Sequence, residues 1–142
     1  MKINSVLGPI DTAELGPVLM HEHVTCADWS LRMNFGGLFF NREEIKQAAI
    51  LRFSEAQELG IRTVVDATPI NLGRDVSLIR DVAEGTGLNF IAATGFFYHF
   101  EPSLALRDDR QIKDLLIREC TEGIGDTGIL PGLFKIAVES PA

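Results

Sequence analysis

Several things are scarce in this sequence, and each shortage narrows what it can be. Cysteine occurs twice, at Cys26 and Cys120, far apart and in no metal-type pair. That excludes a disulfide-stapled scaffold and a cysteine-based zinc module. The two read as free thiols of a reducing compartment, with a single disulfide as the alternative. Cations are outnumbered: 13 Lys and Arg stand against 20 Asp and Glu, for a net charge of −7. A phosphate backbone wants clustered Lys and Arg, so nucleic acid is not the expected partner. No apolar run approaches the ~18 residues of a membrane span, so no membrane is expected either. Met1-Lys2 is followed by Asn4, Ser5, Gly8 and Pro9 rather than by the apolar core of a secretory signal. The expected location is the cytoplasm. No Gly-rich turn follows Met20-His21-Glu22-His23, which counts against a nucleotide-binding α/β domain.

What is present is the mix of a globular protein with a real core: 46% hydrophobic and 23% charged residues in a chain of 142, a usual length for one domain. Punctuation by Gly8-Pro9 and Gly16-Pro17 predicts a short two-stranded hairpin over residues 1–16. Residues 17–142 then alternate between apolar runs and amphipathic stretches. Val18-Leu19-Met20 leads into His21-Glu22-His23 as a buried strand. The mixed, Gly-rich stretch from Trp29 to Asn41 reads as a loop. Asn41 is a good helix cap, with Glu43 and Glu44 in the first turn where the helix dipole favours them. Ile45, Ala48, Ala49, Phe53, Ala56 and Leu59 follow at helical spacing up to Gly60.

Ile61 to Ala67 is the next strand, and Val76, Ile79, Val82 and Ala83 mark a second helix. Leu88 to Thr94 is a third apolar strand. A loop over residues 95–107 carries five rings: Phe96, Phe97, Tyr98, His99 and Phe100. Asp108 or Asp109 caps a helix with Ile112, Leu115, Leu116 and Ile117 on its buried side, and Leu133 to Val138 is the fourth strand. Apolar strands alternating with amphipathic helices indicate a parallel sheet covered by helices. A small doubly wound sheet fits, and so does part of a (β/α)8 barrel; a whole TIM barrel needs ~250 residues, and four units are half of one.

Two features could carry chemistry. Residues i and i+2 of a strand share a face, so His21 and His23 can grip one metal ion while Glu22 points away. The alternative is a pair of partly buried histidines with hydrogen-bonded rings. Lys135 sits in an apolar frame, after Leu133-Phe134 and before Ile136-Ala137-Val138. An ammonium there either snorkels to solvent or is shifted or modified. A desolvated amine is nucleophilic, and adding CO2 to it gives a carbamate, an anion with two oxygens able to bridge two metals.

Taken in order, the motifs resemble those of the phosphotriesterase family of the amidohydrolase superfamily, which includes phosphotriesterase-like lactonases. The resemblance is carried by Gly16-Pro17-Val18-Leu19-Met20-His21-Glu22-His23-Val24, by Gly60 to Thr68, by Leu72-Gly73-Arg74-Asp75, by Ala93-Thr94-Gly95-Phe96-Phe97, and by Gly123 to Ala137. It implies the N-terminal half of a (β/α)8 TIM barrel, about four βα units, forming a single partial domain. It implies that His21 and His23 ligate the more buried of two divalent metal ions. Lys135, the catalytic candidate, would bridge both ions as a carbamate. Zinc is the expected metal, with cobalt, manganese or iron able to substitute. The substrate would be a small-molecule ester, lactone or organophosphate, with Phe97, Tyr98 and His99 as weak candidates for contacting it.

The family also takes two histidines from later strands and an aspartate from the last one, so the missing C-terminal half-barrel is an expected partner. Phe97 falls where lactonase-like members often place a tyrosine. His99, on its loop, is expected to face solvent or substrate rather than replace a ligand. Asp66 and Asp75 are expected behind the ligands or capping a helix rather than in ligation. The alternative reading is a truncated, non-catalytic half-barrel that binds metal weakly or forms a homodimer through its open edges.

Overall fold

A computed structural model describes residues 1–99 and 102–138. Phe100, one of the five rings of the expected loop, lies outside the described residues, as do residues 101 and 139–142.

The chain opens with an antiparallel hairpin, β1 (Lys2–Ser5) and β2 (Gly8–Asp11). It continues as β3 (Val18–Glu22), α1 (Trp29–Phe39), α2 (Arg42–Glu58), β4 (Thr63–Asp66), α3 (Val76–Thr86), β5 (Asn89–Phe96), α4 (Pro102–Ala105), α5 (Asp109–Thr121) and β6 (Leu133–Ile136). Strands β3, β4, β5 and β6 form one sheet in that order, with every pairing parallel. Sequence order equals spatial order, with helices between the strands. This is the α/β architecture of half a TIM barrel.

The helices start where the caps put them. The Asn41 side chain accepts from the amides of Glu43 and Glu44 to open α2. Asp108 and Gln111 form a reciprocal capping box on α5. The core lies between the sheet and its helices: Val64, Phe90 and Ala92 meet Ala49 and Phe53 of α2, and Ile79, Val82 and Ala83 of α3. Phe90 is fully buried and packs edge-to-face on Phe53 at 5.0 Å. Burying such a side chain is worth about 1.5–3 kcal/mol. Strand alternation places Val65, Ile91 and Ala93 on the opposite, inner face.

Two stretches differ from the sequence reading. Trp29–Phe39 is a helix, not a loop. It buries none of its residues, so it has no apolar stripe to betray it, and it breaks at Phe35 (φ −133°) just before Gly36-Gly37. Asp28 opens it by accepting from the Leu31 amide at 2.8 Å. The second difference is in the 95–107 loop: β5 runs on to Phe96, and Pro102–Ala105 forms a short helix. Cys26 and Cys120 are both free thiols. Among the described residues, no helix is long and apolar enough to cross a membrane.

Candidate functional site

The carboxyl ends of the parallel strands bring together three of the residues singled out in the sequence. Lys135 Nζ lies 3.2 Å from His21 Nε2, across 114 positions of sequence. The His21 and His23 rings stand edge to face with centroids 5.2 Å apart. The local geometry is less regular than a strand rule supposes. Val18 and Leu19 pair with Thr63 and Val64, but Glu22 pairs with Asp66, so β3 has one residue more than its partner between those points. Such a bulge re-aims side chains at strand ends. His23 lies just past the last strand residue, Glu22. Glu22 itself lines a groove against α2 with Leu19, Ala49 and Phe53, and His23 borders the same groove.

His23 is the better anchored imidazole. Its Nδ1 is 2.8 Å from Thr68 Oγ1, on the loop after β4. Partial burial lowers its pKa below 6.5, outweighing the nearby Asp66 carboxylate, which acts the other way. The neutral ring that ligation requires is therefore favoured.

Lys135 depends on a glycine. Gly95 pairs with it across β5 and β6, at φ +111°, and a Cβ there would come 2.0 Å from the Lys135 carbonyl oxygen. Only glycine lets the two backbones approach so closely.

The donor set is partial. Among the described residues, no group of three or more His, Cys, Asp or Glu side chains could hold a metal ion. Two imidazoles and a lysine amine converge instead, a set that suits a borderline metal only if further oxygen or nitrogen donors join it.

Residues 1–142, the whole chain, match the phosphotriesterase family. The chain belongs to that family. It is 36% identical over 149 aligned positions to a phosphotriesterase homology protein of Mycobacterium tuberculosis (strain CDC 1551 / Oshkosh), covering 99% of this chain and 46% of that one. An aryldialkylphosphatase of Saccharolobus solfataricus is 33% identical over 93% of this chain and 42% of its own length. An N-acetyltaurine hydrolase of Rattus norvegicus is 29% identical over 94% of this chain and 46% of its own. The chain thus spans about half the length of the curated relatives it matches, and those relatives support a hydrolase family.

The remaining sequence candidates of this phosphotriesterase-family chain sit elsewhere. Phe97, Tyr98 and His99 stack on one another, at 4.3 Å for Phe97 and Tyr98 and 4.1 Å for Tyr98 and His99. Phe97 and Tyr98 line an apolar groove with Leu116, Phe134 and Ile136 on the outer side of β6. Asn71 holds this segment, accepting from the Phe97 amide at 2.6 Å and donating to the His99 carbonyl at 2.6 Å. Asp75 caps α3 through the Leu78 amide and pairs with Arg32. Asp66 is fully buried, and its carboxylate accepts from the amides of Val24 and Thr68.

Two supporting groups have no role legible in the sequence. Thr68 ends the Gly60 to Thr68 motif, where nothing marks its hydroxyl as a partner of His23. Arg74 and Glu119 form a buried bidentate pair, at 2.5 and 2.9 Å, that also takes in the Ala93 carbonyl and the Thr94 hydroxyl. They are 45 positions apart, and no local pattern links them.

Proposed function

We propose that this chain carries the first part of a metal-dependent hydrolase site that acts on phosphotriester, lactone or related ester bonds. The observation that supports it is the approach of Lys135 Nζ to His21 Nε2 at 3.2 Å, with His23 alongside. His21 and His23 would hold one divalent ion, and Lys135, as a carbamate, would be shared with a second. Zinc suits imidazole and carbamate donors, and cobalt, manganese or iron could replace it. Such ions supply Lewis acidity and lower the pKa of a water. Lys135 becomes an anionic donor when its neutral amine forms an N–C bond to CO2 and one proton is released. Phe97, Tyr98 and His99 are weak candidates for contact with the ester or organophosphate substrate. The donors still needed belong to the portion of the barrel that this chain does not span, so the 142 residues alone should hydrolyse neither substrate.

The test uses the full-length protein, with metal analysis beside hydrolysis of a phosphotriester and of a lactone. His21→Ala and His23→Ala should each lose most bound metal and most turnover, while Cys26→Ser keeps both. Unchanged metal content and rate in His23→Ala would overturn the ligand assignment. Turnover by the isolated chain that disappears in Lys135→Ala would overturn the need for further donors.

A second reading rests on a different observation. Phe134, Ile136 and Val138 stand 58%, 75% and 86% exposed at the β6 edge. An open edge with apolar flanks favours association, so a non-catalytic half-barrel that pairs with itself is the competing proposal. Sedimentation of the isolated chain as a monomer would count against it.

A further inference from the structure

We infer that Thr68 is a positioning residue for His23: its hydroxyl, on a backbone that the buried Asp66 carboxyl holds, fixes the ring as the Nδ1–H tautomer and leaves Nε2 bare as the ligating nitrogen. The inference rests on the reading of His23 as a metal ligand, but its geometry stands independently. Four groups close a ring. His23 Nδ1 meets Thr68 Oγ1 at 2.8 Å. The Thr68 amide donates to Asp66 Oδ1 at 3.0 Å. The amide of Val24, next in chain after His23, donates to Asp66 Oδ2 at 2.8 Å. One carboxylate therefore grips both the backbone that carries the imidazole and the loop that carries its partner.

Ligation sets the direction. Thr68 Oγ1 occupies Nδ1 at 2.8 Å, so Nε2 is the ring nitrogen left for an ion. A neutral imidazole that binds through Nε2 carries its proton on Nδ1, and that N–H donates to the lone pairs of Oγ1. Asp66, fully buried, acts at one remove by holding the Val24 and Thr68 amides. Partners of this kind on ligating histidines typically change metal affinity 10–100-fold when removed.

The experiment uses the full-length protein and two readouts. In the metal-free protein, ring 15N shifts report the His23 tautomer; with zinc or cobalt, chelator competition reports affinity. Wild type should show His23 chiefly as Nδ1–H. Thr68→Val, which keeps the shape and loses the hydroxyl, should mix the tautomers and weaken metal binding about 10–100-fold. Thr68→Ser should restore both. Wild-type His23 found as the Nε2–H form overturns the inference outright, even if Thr68→Val fails to fold. So does Thr68→Val with wild-type tautomer and affinity. If His23→Ala leaves metal affinity unchanged, it is the ligand reading that fails, and the tautomer readout still decides the role of Thr68.

Discussion

The centre and the edges of the four-stranded sheet are built to different rules. Every residue of β4 is buried, and so are six of the eight residues of β5. At the edges, Met20 of β3 is 68% exposed and Ile136 of β6 is 75% exposed. Yet the groups that could do chemistry stand on the edges: His21 and His23 at the end of β3, Lys135 on β6. The central strands contribute parts that hold rather than react, namely Asp66, Thr68, the Thr94 hydroxyl and Gly95. A parallel sheet gets its stability from strands covered on both faces, whereas its reactive groups need access at the strand ends.

That contrast breaks most sharply in the middle. Phe90→Ala should lose about 3–5 kcal/mol, because it empties a fully buried site against Phe53 and its neighbours cannot collapse completely. Urea unfolding measures it, and a loss under about 1 kcal/mol would mean that the centre is looser than its packing implies. Gly95→Ala tests the join between centre and edge. Positive φ alone should cost more than about 1 kcal/mol. The added Cβ must also push β6 away, so the His21 to Lys135 approach should be lost along with stability. Unfolding midpoints and metal affinity of the full-length variant would report both effects.

Acid titration probes the edge through His23. The folded-state pKa of His23 is lowered, so the unfolded chain binds the proton more readily. Its contribution is complete above the unfolded value near 6.5 and is lost as pH falls toward the folded one. Urea midpoints of the metal-free protein should therefore drop across that window, and His23→Gln should flatten the slope. At the outermost edge, Phe134→Ser in the isolated chain should shift stability by no more than about 0.5 kcal/mol, as surface changes do. A larger loss would mean that something covers this face in solution.

The same contrast explains what was legible in the sequence. Helices α2 and α3 bury one side and show caps, so their residues carry a period. Helix α5 shows its cap, but of its expected buried side Ile112, Leu115 and Leu116 are only half-buried and Ile117 is 47% exposed, Glu119 being its one buried residue. Apolar strands and the order of motifs gave the half-barrel. Helix α1 buries nothing, and Gly36-Gly37 argued against it. His21, His23 and Lys135 were visible because an unusual residue in an apolar frame stands out. Their convergence, though, runs through a bulge that alternation does not anticipate. The supporting groups were invisible for the opposite reason. Thr68 in a loop, Arg74 just before α3 and Glu119 within α5 look ordinary until the fold brings each to its partner.

The N-terminal hairpin also closes onto the far end of the chain: the Asn4 side-chain amide donates to the Pro131 carbonyl at 3.2 Å, 127 positions away. A Cβ at Gly132 would come within 2.6 Å of the Asn4 carbonyl oxygen. On a ribosome, this contact could form only after residue 131 had emerged, on the order of ten seconds after residue 4 at ordinary elongation rates. Long-range closure of this kind slows folding. The hairpin thus ties the turn that leads into β6, and Lys135 on it, to a segment made more than a hundred residues earlier.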